Sequence, residues 1–160
     1  MSKVSIILGS QSDLEIAREA INLLKEFRVG FEVKVLSAHR TPKELAEYVE
    51  RAAKKGTKVF VAAAGGAAAL AGVIASHTAL PVIGIPIETK SLKGLDSLLS
   101  TVQMPAGVPV ACMAIGKAGA RNAAILALEI LSISDKKAQS RLHAYKKQMK
   151  SKIIRTKIKL

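Results

Sequence analysis

Tryptophan is absent from this 160-residue chain, and Phe, Tyr and Trp together make up 3% of it. Single-stranded nucleic acid is bound on aromatic stacking platforms, so this scarcity argues against that class of partner. There is one cysteine, Cys112, which excludes an intrachain disulfide and fits a reducing, cytoplasmic setting. His77 and His143 have no partners at metal-ligand spacing, so no metal site is expected. A basic-then-apolar leader is missing too, because Val4 to Leu8 reads as a strand. The longest apolar stretch, Val59 to Ala75, is interrupted by Gly65-Gly66 and dominated by alanine. It reads as a buried strand followed by a helix, not as a membrane span of about 20 strongly apolar residues.

Acidic residues are the other shortage. The chain holds 25 Lys and Arg against 12 Asp and Glu, a net charge of +13. That value first points to nucleic acid, but its distribution does not. Residues 136–160 hold ten basic residues and no acid, whereas residues 1–135 balance at +3. A near-neutral body, 1–134, therefore carries a basic tail, 135–160. Within the tail Ala138, Leu142, Tyr145, Met149 and Ile153 recur at helical spacing, which predicts one amphipathic helix to about Ile158. Its apolar stripe is expected to pack on its own domain or on a neighbouring subunit.

What the body has in abundance is alternation. Strands are expected at 4–8, 31–35, 59–63, 81–85 and 108–114, with helices at 13–27, 42–55, 67–76, 94–101 and 118–131. Pro42 suits a helix start and Thr41 can cap it, while Gly56 ends the same helix. The pattern predicts an α/β fold, a parallel five-stranded sheet covered on both faces with flavodoxin-like order 2-1-3-4-5. In such sheets ligands bind beyond the carboxyl ends of the strands, where the strand order reverses. Three loops, 9–13, 36–42 and 64–70, are thereby singled out.

In the first loop, Gly9-Ser10-Gln11-Ser12-Asp13 opens a helix, so free N–H groups and the hydroxyls of Ser10 and Ser12 suit an anion. Asp13 either caps that helix or accepts from ribose hydroxyls; the loop leaves both open. The second loop, Ser37-Ala38-His39-Arg40-Thr41-Pro42, pairs a planar guanidinium suited to phosphate with an imidazole able to exchange a proton near neutral pH. The third, Ala64-Gly65-Gly66-Ala67-Ala68-Ala69-Leu70, matches neither a Walker A loop nor G-x-G-x-x-G. Its small side chains either leave room for a flat ring or simply pack helix on strand.

Taken in order, these loops together with Gly94-Leu95-Asp96-Ser97-Leu98, Val102-Gln103-Met104-Pro105 and Ala114-Ile115-Gly116-Lys117-Ala118 resemble the PurE family over most of the chain, Gly9 to about Leu131. The resemblance implies a three-layer α/β/α sandwich, a homo-octamer, and action on an aminoimidazole ribonucleotide without metal or organic cofactor. It implies that Ser10, Asp13 and Arg40 hold phosphate and ribose and that His39 is the general acid/base. Ser12, Ser37, Gly65, Gly66, Ala67 and Leu70 complete the expected substrate site. One position departs from the pattern. Most mutases of the family read Ala-His-Leu-Pro-Gly where this chain reads Ala68-Ala69-Leu70-Ala71-Gly72. The carboxylase branch, which uses free CO2, also lacks that histidine. It typically has Lys in place of Arg40 and Arg-Ser-Asn in place of Gly66-Ala67-Ala68, so the mutase is the favoured reading and the carboxylase the alternative. A non-catalytic nucleotide- or flavin-binding module is the rival of a different class.

Overall fold

The computed structural model describes residues 2–158; residue 1 and the final two residues of the expected tail lie outside that range. Five parallel strands, β1 (Val4–Leu8), β2 (Phe31–Val35), β3 (Val59–Gly65), β4 (Val82–Ile87) and β5 (Ala111–Cys112), lie in the order β2-β1-β3-β4-β5. The helices are α1 (Leu14–Glu26), α2 (Pro42–Lys54), α3 (Leu70–Ser76), α4 (Leu95–Val102), α5 (Gly116–Ser132) and α6 (Lys136–Ile154). This is the expected three-layer, flavodoxin-like α/β/α sandwich.

Side chains alternate across a strand, and here the alternation divides the interior into two cores. Val4, Ile6 and Leu8 of β1 face one way, with Val59, Val61 and Ala63 of β3 and Ile83 and Ile85 of β4. They pack on Ala17, Ala20 and Leu24 of α1 and on Ala120, Ala123, Ala127 and Leu128 of α5. Ile7, Phe60, Ala62 and Val82 face the other way, onto Leu45 and Val49 of α2 and Leu70 and Ile74 of α3. The alanine content thus serves close helix-on-sheet contact.

Several expected boundaries are corrected. β5 spans two residues, not 108–114, because Pro109 has no N–H to give a ladder and β5 is an edge strand paired through Ile83↔Ala111 and Gly84↔Cys112. β4 continues through Pro86 to Ile87, opposite Ala64 and Gly65 of β3. α3 starts at Leu70 instead of Ala67, since the backbone at Gly66 has a left-handed φ of 68° and tight turns close from Ala68 N–H to Gly66 O and from Ala69 N–H to Ala67 O. Thr41 sits at the N-cap of α2 without capping it. Its Oγ1 instead accepts from the Ser37 amide (2.9 Å) and donates to the Ser37 carbonyl (3.1 Å), closing the second loop on itself. α5 starts two residues early, at Gly116.

The tail is helical, capped by Asp135, whose carboxylate accepts from the Lys137 and Ala138 amides. Hydrogen bonding from Lys3 (2.9 Å), reinforced by those amides, brings the Asp135 pKa down to about 2. The expected apolar stripe splits. Ala138 and Leu142 are buried and Tyr145 packs edge-on against Phe27, with centroids 5.3 Å apart. Met149 and Ile153 are exposed, and the helix ends at Ile154 instead of Ile158.

Gly119 is where α5 comes closest to the chain that enters it. A Cβ there would collide with the Ala114 carbonyl oxygen, a backbone atom that cannot swing away. Gly119→Ala is therefore expected to cost about 3 kcal/mol of stability, the upper part of the range for overpacking. Urea unfolding measures it, and a variant as stable as the parent would contradict this packing.

Candidate active site

The register brings the strand ends level. Leu8, the last residue of β1, pairs with Val35 and with Ala63, and Gly65 at the end of β3 pairs with Ile87 at the end of β4. The loops leaving these strands surround an open cavity of about 910 Å³. Ser10, Ser12, Asp13, Ser37, His39, Arg40, Gly65, Ala67 and Leu70 all line it. Of the residues expected from the sequence, Gly66 stands outside the wall, bound to α4 as described below.

The first loop is a built turn. Ser10 begins a short 3-10 turn, Gln11–Asp13, that leads into α1. Its Oγ accepts from the Ser12 amide at 3.4 Å and the Ser12 hydroxyl at 3.1 Å, while the Asp13 carboxylate accepts from the Ser10 amide at 2.8 Å. Asp13 thus closes a capping box. Its carboxyl is nonetheless 6% exposed, and burial pushes its pKa above the ordinary value despite the Ser10 amide, the Arg40 charge and the Gly9 amide, which favour the anion. A carboxylate kept short of water at a cavity wall is poised to accept hydrogen bonds from a polyhydroxylated ligand.

The second loop is tied to the first by Arg40. Its Nη2 donates to the Gly9 carbonyl at 3.0 Å and its Nε to the Ser37 hydroxyl at 3.3 Å; the same hydroxyl accepts from the Arg40 amide at 3.2 Å. The guanidinium is thereby oriented before a ligand arrives, with less side-chain entropy left to lose on binding. His39, next in sequence, is exposed on the same wall.

Sequence reasoning missed the fourth wall: Ile87, Glu88, Thr89 and Lys90, together with Glu15 and Ile16 from the first turn of α1. The signal was available. In a 2-1-3-4-5 sheet β4 neighbours β3, so its carboxyl end reaches the same edge. Among the described residues no three His, Cys, Asp or Glu gather as a metal site.

The arrangement defines a class: a parallel α/β sandwich whose sheet edge presents an oriented guanidinium, serine donors at a helix start, a buried carboxylate and an exposed imidazole around one cavity. The chain belongs to the AIR carboxylase family, whose model matches residues 3–152. It is 50% identical over 158 residues to the N5-carboxyaminoimidazole ribonucleotide mutase of Saccharolobus solfataricus, covering 99% of both chains. Against the mutase of the same name from Pyrococcus abyssi it is 55% identical over 150 residues, 94% of this chain and 85% of that one. The structure superposes on Treponema denticola PurE with a TM-score of 0.86 at 28% identity, covering 94% of this chain and 93% of that one.

Burial of the Asp13 carboxyl makes stability depend on pH. With its pKa raised in the fold, Asp13 binds its proton more tightly in the native state than in the unfolded chain. Its contribution to stability is greatest below the ordinary carboxylate range and declines as pH rises through the raised value. Asp13→Asn, which still accepts from the Ser10 amide, is expected to raise the urea midpoint at pH 7 and to remove that decline. A midpoint lowered at pH 7 would show that ionised Asp13 stabilises the fold.

Proposed function

We infer that this chain is an isomerase of purine biosynthesis that converts N5-carboxyaminoimidazole ribonucleotide to the C4-carboxy isomer. The observation that carries the reading is the convergence of Ser10, Asp13, His39 and Arg40 on one cavity, in a chain half identical to full-length relatives that bear the mutase name.

The chemistry follows from the residues. Arg40 and the Ser10 and Ser12 hydroxyls at the start of α1 offer charged and neutral donors to the substrate phosphate. Asp13 accepts from the ribose hydroxyls. Gly65, Ala67 and Leu70 bound the space for the imidazole ring. Loss of the N5 carboxylate as CO2 leaves the aminoimidazole, whose electron-rich C4 attacks that CO2 while it is still confined. His39 supplies the proton that N5 gains as the nitrogen–carboxylate bond breaks and then takes the C4 proton, which restores the aromatic ring, so the protons balance over the turnover without a redox partner. The runner-up reading is the carboxylase that takes free CO2. Arg40 and the small-residue third loop favour the mutase, while Ala69 is the carboxylase-like position. A non-catalytic binding module would have no use for His39.

Assembly belongs to the same reading: a homo-octamer acting in the cytoplasm on a small ribonucleotide. The single cysteine fits that compartment, and no helix among the described residues is long and apolar enough to cross a membrane. Apolar surface suited to subunit contact is present on α4 and the turn before it, where Leu92, Leu95, Leu99 and Val102 are each about half exposed, and on the outer end of α6. Replacing Ile153 and Ile154 together by Glu should lower the assembly mass by light scattering without unfolding the domain, since both side chains already face water. An unchanged mass would free the tail from this role.

The functional test is turnover of the N5-carboxylated ribonucleotide compared with aminoimidazole ribonucleotide plus bicarbonate. His39→Asn should keep fold and binding yet lose about 10²–10⁴-fold in turnover, the usual worth of an acid–base group. Arg40→Ala should weaken binding by about 1.5–3 kcal/mol. Near-normal turnover in the first variant, or unchanged affinity in the second, contradicts the assigned role.

A further inference from the structure

Ser97 stands in α4, outside the cavity, with no exposed surface at all. Its hydroxyl accepts from the Gly66 amide at 2.9 Å and donates to the Ile87 carbonyl at 2.7 Å. Ile87 lines the cavity at the end of β4, and Gly66 stands just behind a second wall, between Gly65 at the end of β3 and Ala67, which both line it. One turn further on, Ser100 donates to the Gly66 carbonyl at 3.3 Å as well as to Asp96 O at 2.7 Å. Both polar groups of Gly66 are therefore held by serines of one helix. Asp96 adds a third tie, accepting from the Thr89 hydroxyl through both oxygens at 2.9 and 3.0 Å.

Apart from the tight turn that brings the Ala68 amide onto the Gly66 carbonyl, the serines are what restrains this backbone. Gly66 has its φ at 68°, and nothing lies within 4 Å of where its Cβ would be, so packing does not fix it. The residues it directs, Gly65, Ala67, Ala68 and Ala69, have little side chain with which to anchor themselves, yet all four line the cavity. A wall made of backbone and methyl groups takes its shape from whatever fixes its backbone.

Resting on the mutase reading above, we propose that Ser97 is a positioning residue for the reaction: through the Gly66 amide and the Ile87 carbonyl it sets the spacing of the two cavity walls that enclose the ring and the migrating CO2, with Ser100 as its auxiliary. It touches neither substrate nor reacting atoms. Phosphate binding, built on the loops of Ser10 and Arg40, does not depend on it.

The test is steady-state kinetics on the full chain with the N5-carboxylated ribonucleotide, alongside thermal unfolding. Ser97→Ala should lower kcat by about 10–100-fold, the scale of a misplacement of about 1 Å, and shift KM by less than about threefold. Ser100→Ala, at an exposed position, should lower kcat about 2–5-fold, in the same direction and with Tm unchanged. A merely structural serine would lower Tm and leave kcat as it was, and that result for folded Ser97→Ala overturns the proposal. If Ser97→Ala fails to fold, Ser100→Ala decides the matter: unaltered kcat in that variant overturns it. A raised KM with unaltered kcat also overturns it. Parent protein without mutase turnover would overturn the functional reading and this inference together, whereas an active parent with an equally active Ser97→Ala overturns the inference alone.

Discussion

Parallel pairing around β1 and β3 is the constraint on which the site depends. Because Leu8 is level with Val35 on one side and with Ala63 on the other, and Gly65 with Ile87, four strands release their chains at one edge of the sheet. A one-residue slip would turn every side chain of the slipped strand to the opposite face. It would exchange Ile6 for Ile7 between two fully packed cores and carry the attached loop out of level. The packing of alanine-rich α5 and of α1 against Val4, Ile6 and Leu8 is what makes such a slip costly. Core and site are thus linked: residues that touch no ligand set the height at which Ser10, His39 and Gly65 stand.

On that edge the fold gives up stability to keep polar groups at the cavity. Asp13 is the clearest instance, a carboxyl with a serine amide, a glycine amide and an arginine beside it whose burial still outweighs them all. Arg40 bridges the Gly9 carbonyl and the Ser37 hydroxyl, so its fork is ordered in advance. The wall opposite is preorganised differently. It has almost no side chains, and its backbone is held from behind by α4. The cavity therefore joins a charged, oriented half to a small-residue half, an arrangement suited to holding a phosphoribosyl group by one end and leaving space for a flat ring and CO2 at the other.

Much of this was legible in the residues. Short apolar runs and helical spacing placed five strands, the flavodoxin-like order was the simplest choice for them, and the rule for the carboxyl edge placed three of the four loops. Where the reading fell short, the reasons are local. Pro109 shortened β5, since a missing N–H removes a rung that hydrophobicity does not reveal. Thr41 looked like a cap because Thr-Pro commonly begins a helix, but its hydroxyl had a nearer use in closing the 37–41 turn. The wall at 87–90 was invisible to a pattern search because Glu88, Thr89 and Lys90 form no motif; topology alone reveals it. Ser97 was part of a recognisable segment, yet its two bonds reach 31 residues back to Gly66 and ten back to Ile87, distances at which sequence spacing says nothing. The outer half of α6 kept its stripe but found no surface within the chain to cover it.

On the proposed mechanism one cavity releases CO2 from nitrogen and delivers the same CO2 to C4. That delivery is most exposed at Ala69, where a methyl group lines the cavity and leaves room for water to enter or CO2 to leave. The direct measurement supplies ribonucleotide carrying isotopically labelled N5-carboxylate, in excess unlabelled bicarbonate, and reads the label in the C4-carboxylated product over a single turnover. Retention of most of the label is the result this account predicts. Product labelled no more than the bicarbonate pool, with aminoimidazole ribonucleotide and CO2 as the better substrates, would contradict it and place the enzyme with the carboxylases.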